Sequence, residues 1–269
     1  MGRQRYIMAN RLDFRHGDFR VSIGQSVLRS GESAVLRSFN PLEFIWVDQS
    51  STFDKNEISG NLMFNTMFWW RVGQSTLYGE FALDDFDLNP RTGVEDRDIE
   101  ATSYQLSLGQ GISDALELGF DYRRVSAWSY RSGTPTEIWM HLDRGLGDAW
   151  SDFDRLTLRT DWYPSVRGLR LSPVYQYQRK GEGDYRIPFP PREEMLGKPG
   201  IFHGVLETTN RLALQGRYQP WSHAFVEWDV GHGWISNAGH EDGRSEGRFS
   251  FLVYLNLTYD FLFQGNSSP

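Results

Sequence analysis

The chain has 269 residues, a formal net charge of −7 and a mean hydropathy of −0.53, yet 15% of it is aromatic, with 10 Trp. The acidic balance and the lack of clustered Lys and Arg argue against nucleic acid as the main partner, and the absence of Cys excludes disulfides and thiolate metal sites. No run approaches the roughly 18 apolar residues of a membrane helix, which has no force against a β-barrel, where only every second residue meets lipid.

Read in chain order, period-two alternation predicts eleven strands. Ile7–Arg15 comes first, then Phe19–Leu28, with Phe19, Val21, Ile23 and Val27 opposite Arg20, Ser22, Gly24 and Ser26. Ile58–Arg71 sets Leu62, Phe64, Phe68 and Trp70 against Asn61, Asn65 and Arg71, and is followed by Thr76–Phe86 and Thr102–Gly109. Leu116–Arg124 alternates Leu116, Leu118, Phe120 and Tyr122 with Glu117, Asp121 and Arg123. Arg155–Tyr163, Leu169–Arg179, Asn210–Tyr218, Ala224–Trp234 and Phe249–Phe263 complete the set, and helical periodicity is nowhere sustained. The last stretch, FSFLVYLNLTYDFLF, exceeds the usual soluble strand of about 5–6 residues and suits the roughly 9–11 of a tilted bilayer-crossing strand.

The spacing of these strands alternates. HGD, VGQS, QGISDA, PSVRG and QPWSH join the hairpins, whereas 29–57, 87–101, 125–154, 180–209 and 235–247 are long and rich in Gly, Pro, acids and aromatics. Short turns at one end and long loops at the other are the plan of an outer-membrane barrel, and a soluble sandwich has no reason to trim one end. Trp162, Tyr163, Tyr218 and Trp221 lie beside short turns, with Trp234 and Tyr177 near long loops, as interfacial girdles require. The expectation is one all-β domain over 1–269: a transmembrane, antiparallel, up-and-down barrel in a Gram-negative outer membrane, its long loops extracellular and its C-terminus periplasmic. With that orientation the first residue falls on the external side, and the opening MGRQRYIMANRLDF has no apolar signal core. Both features lead us to expect an odd number of strands upstream of Met1, unless one weak strand escapes the pattern.

Chemistry is sparse. Asp84 and Asp85 point to opposite faces of a strand and read as solvated or Arg-paired. The six His are scattered, with only His232 and His240 near one another, and Ser222 beside His223 lies on a short turn. GLGDAW and GEGDY follow no strand-to-helix pattern and read as loops. No enzyme, metal or cofactor is therefore expected. The segment VSAWSYRSGTPTEIWMHLDRGLGDAW gathers Trp128, Tyr130, Trp139 and Trp150 with Arg131, Glu137, Asp143 and Asp148. Such a set can stack on sugar C–H faces and hydrogen-bond hydroxyls, or it can pack the loop onto the rim. Trp128, Tyr130, Trp139, Trp150, Arg131 and Asp143 are the glycan-binding candidates. Arg20, Arg71, Glu80, Asp84, Glu117, Asp121, Arg155 and Arg159 are the candidates for lining a lumen.

The stretch from Asn10 to Gln49, with its Gly-Gln-Ser at 24–26 and NPLEF at 40–44, followed by DKNEISG at 54–60 and LYGEFALDDF at 77–86, resembles the Wzi-like capsule-assembly family of outer-membrane proteins. The resemblance covers about a third of the chain, the remainder agreeing only in strand and loop rhythm. It implies a monomeric barrel of about 18 strands, of which this chain would be the C-terminal part, acting as a non-enzymatic surface lectin that organises capsular polysaccharide. The competing class is a porin-like channel for small solutes. The partners expected are capsular or surface polysaccharide and outer-membrane lipid.

Overall fold

A computed structural model describes residues 4–30, 61–84, 101–133, 135–141, 144–190, 200–221 and 223–257. The chain is all-β. Its main sheet takes up β1 (Arg5–His16), β2 (Phe19–Ser30), β3 (Asn61–Val72), β4 (Ser75–Asp84), β5 (Thr102–Ser113) and β6 (Leu116–Val125). A two-residue ladder follows, β7 (Met140–His141) with β8 (Arg144–Gly145), and the sheet resumes with β9 (Phe153–Trp162), β10 (Leu169–Lys180), β11 (Glu207–Trp221), β12 (Ala224–Ser236) and β13 (Ser245–Leu257). The order is β1-β2-β3-β4-β5-β6-β9-β10-β11-β12-β13, every neighbouring pair antiparallel, which is the order of an up-and-down barrel wall. The eleven predicted strands and the eleven of this sheet coincide, with ends shifted by a few residues. The tail of the last predicted strand, 258–263, and Ile58–Gly60 lie outside the described residues.

Two-residue turns set the register at the trimmed end. His16 pairs with Phe19 and Val72 with Ser75, and Gly17 (φ 56°) and Gly73 (φ 58°) supply the left-handed backbone that a tight hairpin needs. At the β11–β12 turn the strand runs further than its alternation predicts: β11 continues through Pro220 to Trp221, with a register shift between Tyr218 and Trp221 that accommodates a residue lacking an N–H.

Because partners across a ladder share a face, the register sorts every side chain. One face carries rows such as Tyr104–Arg124–Asp154–Arg179, then Leu106–Tyr122–Leu156–Tyr177–Asn210, then Leu108–Phe120–Leu158–Tyr175–Leu212. It is apolar and solvent-accessible: Phe81, Leu108, Leu118, Leu158 and Leu214 are each 42–45% exposed. The opposite face carries Arg15, Arg20, Arg71, Glu80, Gln105, Asp121, Arg155, Arg159, Gln176, Arg211 and Asp229. An apolar exposed face backed by a charged one inverts the usual arrangement of a soluble sheet.

The largest buried cluster lies at the long-loop end on the polar face, while a smaller one, Met8, Val27 and Leu62, lies on the apolar face. Leu28, Val125 and Phe153 close their strands with apolar residues, and Tyr130, Ile138, Trp139 and Tyr185 from the connections pack on them, with Met63 and Met140 alongside. Each fully buried side chain of this size contributes roughly 1.5–3 kcal/mol.

Candidate functional site

The β6–β9 connection, Ser126–Asp152, is folded down over the polar face and reaches from β6 back to β1. Arg5 of β1 donates to the carbonyls of Met140 (2.6 Å) and Ile138 (2.5 Å). Thr136 donates to Ser30 (2.9 Å), Asn61 to the Arg131 carbonyl (2.8 Å), and Ser103 to Ser129 (3.0 Å). The Tyr130 N–H donates to the Asp84 carboxylate, and Arg123 pairs with Asp148 at 2.6 Å. Six strands therefore hold one loop, each through a polar or charged group near its upper end.

This placement corrects the glycan-binding expectation for four of its members. Trp128, Tyr130 and Trp139 are 3–6% exposed and Arg131 is 6% exposed, so none offers a ring face or a fork to a sugar. Burial pushes the Tyr130 hydroxyl well above its ordinary value, with the Asp148 charge adding to it. Arg131 lies over Trp128 (4.9 Å) and Phe189 (5.7 Å) and donates to the carbonyls of Ile187 and Pro188, both at 2.8 Å. The physical reason is apolar packing beneath: Leu28, Met63, Val125 and Phe153 draw Tyr130 and Trp139 inward, and Trp128 packs with Ala101 and Phe189. Trp150 alone stays open, 44% exposed, edge-on to Phe153 at 6.2 Å and with Lys180 Nζ 5.7 Å from its ring. Asp143 lies outside the described residues.

All eight lumen candidates fall on the polar face. Arg20 is exposed, 5.4 Å over the Trp69 ring, and Arg71 is exposed nearby. Glu80 accepts from the Tyr78 hydroxyl (2.7 Å), and Asp121 accepts from Gln105 and Ser107, both at 2.6 Å. Glu117 is half-buried, and Arg159 pairs with Asp161 at 2.9 Å. Arg155 sits directly opposite Arg123, two like charges across one ladder, 5.8 Å over Phe153. Asp84, expected to be solvated or Arg-paired, is 2% exposed and anchors the loop by accepting the Tyr130 N–H. Beneath the loop lies a cavity of about 110 Å³ lined by Glu80, Gln105, Arg123, Tyr130 and Asp148, among others. The polar face continues as ion pairs toward β13, with Arg211 on Asp229 and Arg217 on Glu227 at 3.2 Å.

Asp152, absent from every sequence expectation, ties the connections together. It is fully buried with φ 59°, and its carboxylate accepts the backbone N–H of Gly183 (2.8 Å), of His203 (3.0 Å) and of Phe202. Among the described residues no group of three or more His, Asp or Glu is placed to hold a metal ion. His240 contacts the Val205 carbonyl at 2.8 Å, and His232 packs edge-on to Trp234. Ser222 lies outside the described residues.

No protein-family model matches the chain, the Wzi-like family included, and no curated protein does so. Among solved structures it is similar to OmpTΔL8, a loop L8 deletion mutant of OmpT, an outer membrane protein of Vibrio cholerae. It is likewise similar to the outer membrane channel DcaP of Acinetobacter baumannii. Both match with 11% identity and a TM-score of 0.43, over 93% and 91% of this chain. The chain spans 61% of the length of each.

Proposed function

We propose that the chain forms the wall of an outer-membrane β-barrel that passes small polar solutes, with the Ser126–Asp152 connection narrowing the path. The observation that carries this reading is the docking of that connection across the charged face, on anchors from β1 to β6. The opposite face supports a bilayer as its surroundings. From Leu116 to Tyr122 on β6 and from Leu171 to Tyr177 on β10 it presents apolar or aromatic side chains, and Trp162, Tyr218 and Trp234 stand 38–50% exposed toward its two ends. Eight residue steps from Leu116 to Arg124, at about 3.4 Å each and tilted about 40°, give a band of roughly 20 Å, close to the hydrophobic height of outer-membrane barrels. The long connections face outward, the protein is a monomer, and no catalytic step is assigned to it.

A second reading, a surface protein holding capsular or other surface polysaccharide, keeps one specific support: Trp150, an exposed ring beside Lys180 on an outer loop. Conductance separates the two. In planar bilayers the intact protein is expected to give steady solute-dependent currents. Trp139→Ala, which costs about 3–5 kcal/mol of loop packing, is expected to raise unit conductance at unchanged heat-modifiable migration. Absence of current, together with saturable polysaccharide binding that Trp150→Ala reduces, would replace the channel with the lectin.

A further inference from the structure

We propose that the trimmed end of the polar face carries a binding site for a small soluble phosphomonoester. The proposal rests on the channel reading above and deepens it, naming a solute class for one mouth of the same path. The site is built where two turns meet. The β9–β10 turn and the Pro220 bulge at the end of β11 are fastened together by the Gln219 N–H, which donates to the Gly168 carbonyl at 2.8 Å. Between them lies a cavity of about 690 Å³, bordered by Arg167, Arg170 and Arg217 and by Tyr163, Leu169 and Trp221 among others; no Asp or Glu lines it among the described residues.

The three guanidiniums are unequally compensated. Arg217 pairs with Glu227 and donates to Gln219, both at 3.2 Å. Arg170, directly opposite Arg217 across the β10–β11 ladder, has one ionic contact, Asp161 at 4.0 Å, and Asp161 is already engaged by Arg159 at 2.9 Å and by the Ser172 hydroxyl. The Arg170 Nε is buried without an acceptor, while the side chain as a whole stays 38% exposed. Arg167 has no hydrogen-bond or ion-pair partner among the described residues. Arg159, Arg167, Arg170 and Arg217 thus meet two carboxylates, Asp161 and Glu227, and two positive charges remain. The next carboxylates along the rim, Asp114 and Glu117, stand no nearer than β6, two strands from β10 and roughly 10 Å away, where exposed charges are largely screened.

Like charges directly opposite in a ladder are unfavourable on their own, and an anion held between the forks relieves the repulsion. The excess selects its chemistry. A carboxylate offers one charge and two oxygens, enough for one fork, whereas a phosphomonoester carries about −1.5 to −2 at neutral pH and presents three acceptor oxygens. That matches two uncompensated charges on two forks, and Tyr163, Leu169 and Trp221 border the same cavity to receive an organic part. Arg170 and Arg217 belong to the polar face and not to the apolar one, so the ester arrives from water rather than as a lipid headgroup.

The test is calorimetric titration of the whole, detergent-folded protein with phenyl phosphate, with benzoate as the singly charged comparison. One saturable site for phenyl phosphate is expected, with benzoate weaker by about tenfold or more. Arg167→Gln and Arg170→Gln should each weaken phenyl phosphate about tenfold at unchanged heat-modifiable migration. Arg167 sits in a turn and has no partner to lose among the described residues, so its variant reads the site without disturbing the sheet. No saturable binding, equal affinity for benzoate, or indifference to both substitutions would overturn the site. Binding in detergent that disappears in phosphatidylglycerol nanodiscs would also overturn it, by assigning the arginines to a lipid headgroup. Planar-bilayer current separates this site from the channel reading: steady current without phenyl phosphate binding sinks only the site, and binding without current sinks the channel and leaves the site standing.

Discussion

Asp152→Ala isolates the energetics of the outer loops from those of the sheet. The carboxylate accepts three backbone N–H groups from the β10–β11 connection, while its own backbone bonds Ser126 and Gly181. Hydrogen bonds to a charged acceptor contribute about 1.5–3 kcal/mol each, and stranding a buried donor costs about 1–3 kcal/mol. The φ of 59° adds roughly 1–2 kcal/mol for a residue with a Cβ and no side-chain hydrogen bond. These contributions overlap, so local opening should become easier by about 3–6 kcal/mol, or roughly a hundred- to ten-thousand-fold in exchange protection. Hydrogen exchange in nanodiscs, read at Gly183, Phe202 and His203, measures it. Asp152→Asn should fall between, because Asn tolerates left-handed backbone and keeps one acceptor, yet turns an NH2 toward backbone donors. Exchange at those three amides within threefold of wild type in the Ala variant would refute the clamp, and so would equal loss in Ala and Asn.

Two further changes test the polar face and the docked loop. Burial holds the Glu137 carboxyl above its ordinary 4.5, with Arg29 pulling less strongly the other way. A raised value in the docked state means that docking is favoured most below pH 4.5 and weakens as pH rises through the raised value. Unit conductance should therefore increase with pH across that window, and Glu137→Gln should flatten the profile; a wild-type profile flat from pH 4 to 7 would disprove the coupling. Arg155→Gln removes one of two like charges facing each other across β6 and β9, so the zero-current potential in a salt gradient should move toward cation preference, by about 5–15 mV on a path this close to the charge. An unchanged potential would place Arg155 outside the conducting route.

The sheet was legible because its signal is redundant. Eleven alternating segments each had a weak period-two pattern, but the register that pairs Leu118 with Thr160 and Asp121 with Thr157 is over-determined by every neighbour. The tight turns at Gly17 and Gly73 fixed phase where alternation was ambiguous. Four of the six glycan candidates, Trp128, Tyr130, Trp139 and Arg131, turn inward, which the sequence did not reveal because aromatic composition is silent on direction: Trp, Tyr and Arg gathered in a long connection suit a sugar platform and an inward-packed loop equally well. The discriminating signal was present elsewhere in the chain. Leu28, Met63, Val125 and Phe153 occupy polar-face positions of their strands at the long-loop end, and an apolar patch there requires something apolar to cover it. Asp152 had no such signal, since its role depends on Gly183 and Phe202 arriving from a connection whose path alternation does not describe.

That inward turn also changes what the charged face can do. Had the loop stood clear, Arg123, Arg155 and Asp121 would bound a wide wall in which single charges are screened over about 8 Å at physiological salt. With Tyr130 and Asp148 brought down onto Arg123, that residue borders a cavity of about 110 Å³ under a loop anchored on six strands, and Asp121 and Arg155 lie on the adjoining wall. In so confined a space a charge acts on a passing solute with much less screening. Asp148 pairs with Arg123 at 2.6 Å, while Arg155, opposite it, lies 5.8 Å over the Phe153 ring and feels the Asp148 and Asp121 charges without an ion-pair contact among the described residues. On the channel reading proposed above, this asymmetry makes Arg155 the stronger determinant of ion entry beneath the loop, and loosening the loop at Trp139 should weaken that determinant as it widens the path. Conductance and selectivity should therefore change together in Trp139→Ala and separately in Arg155→Gln; a Trp139→Ala protein that conducts more with unaltered selectivity would mean that the loop blocks the face without shaping its field.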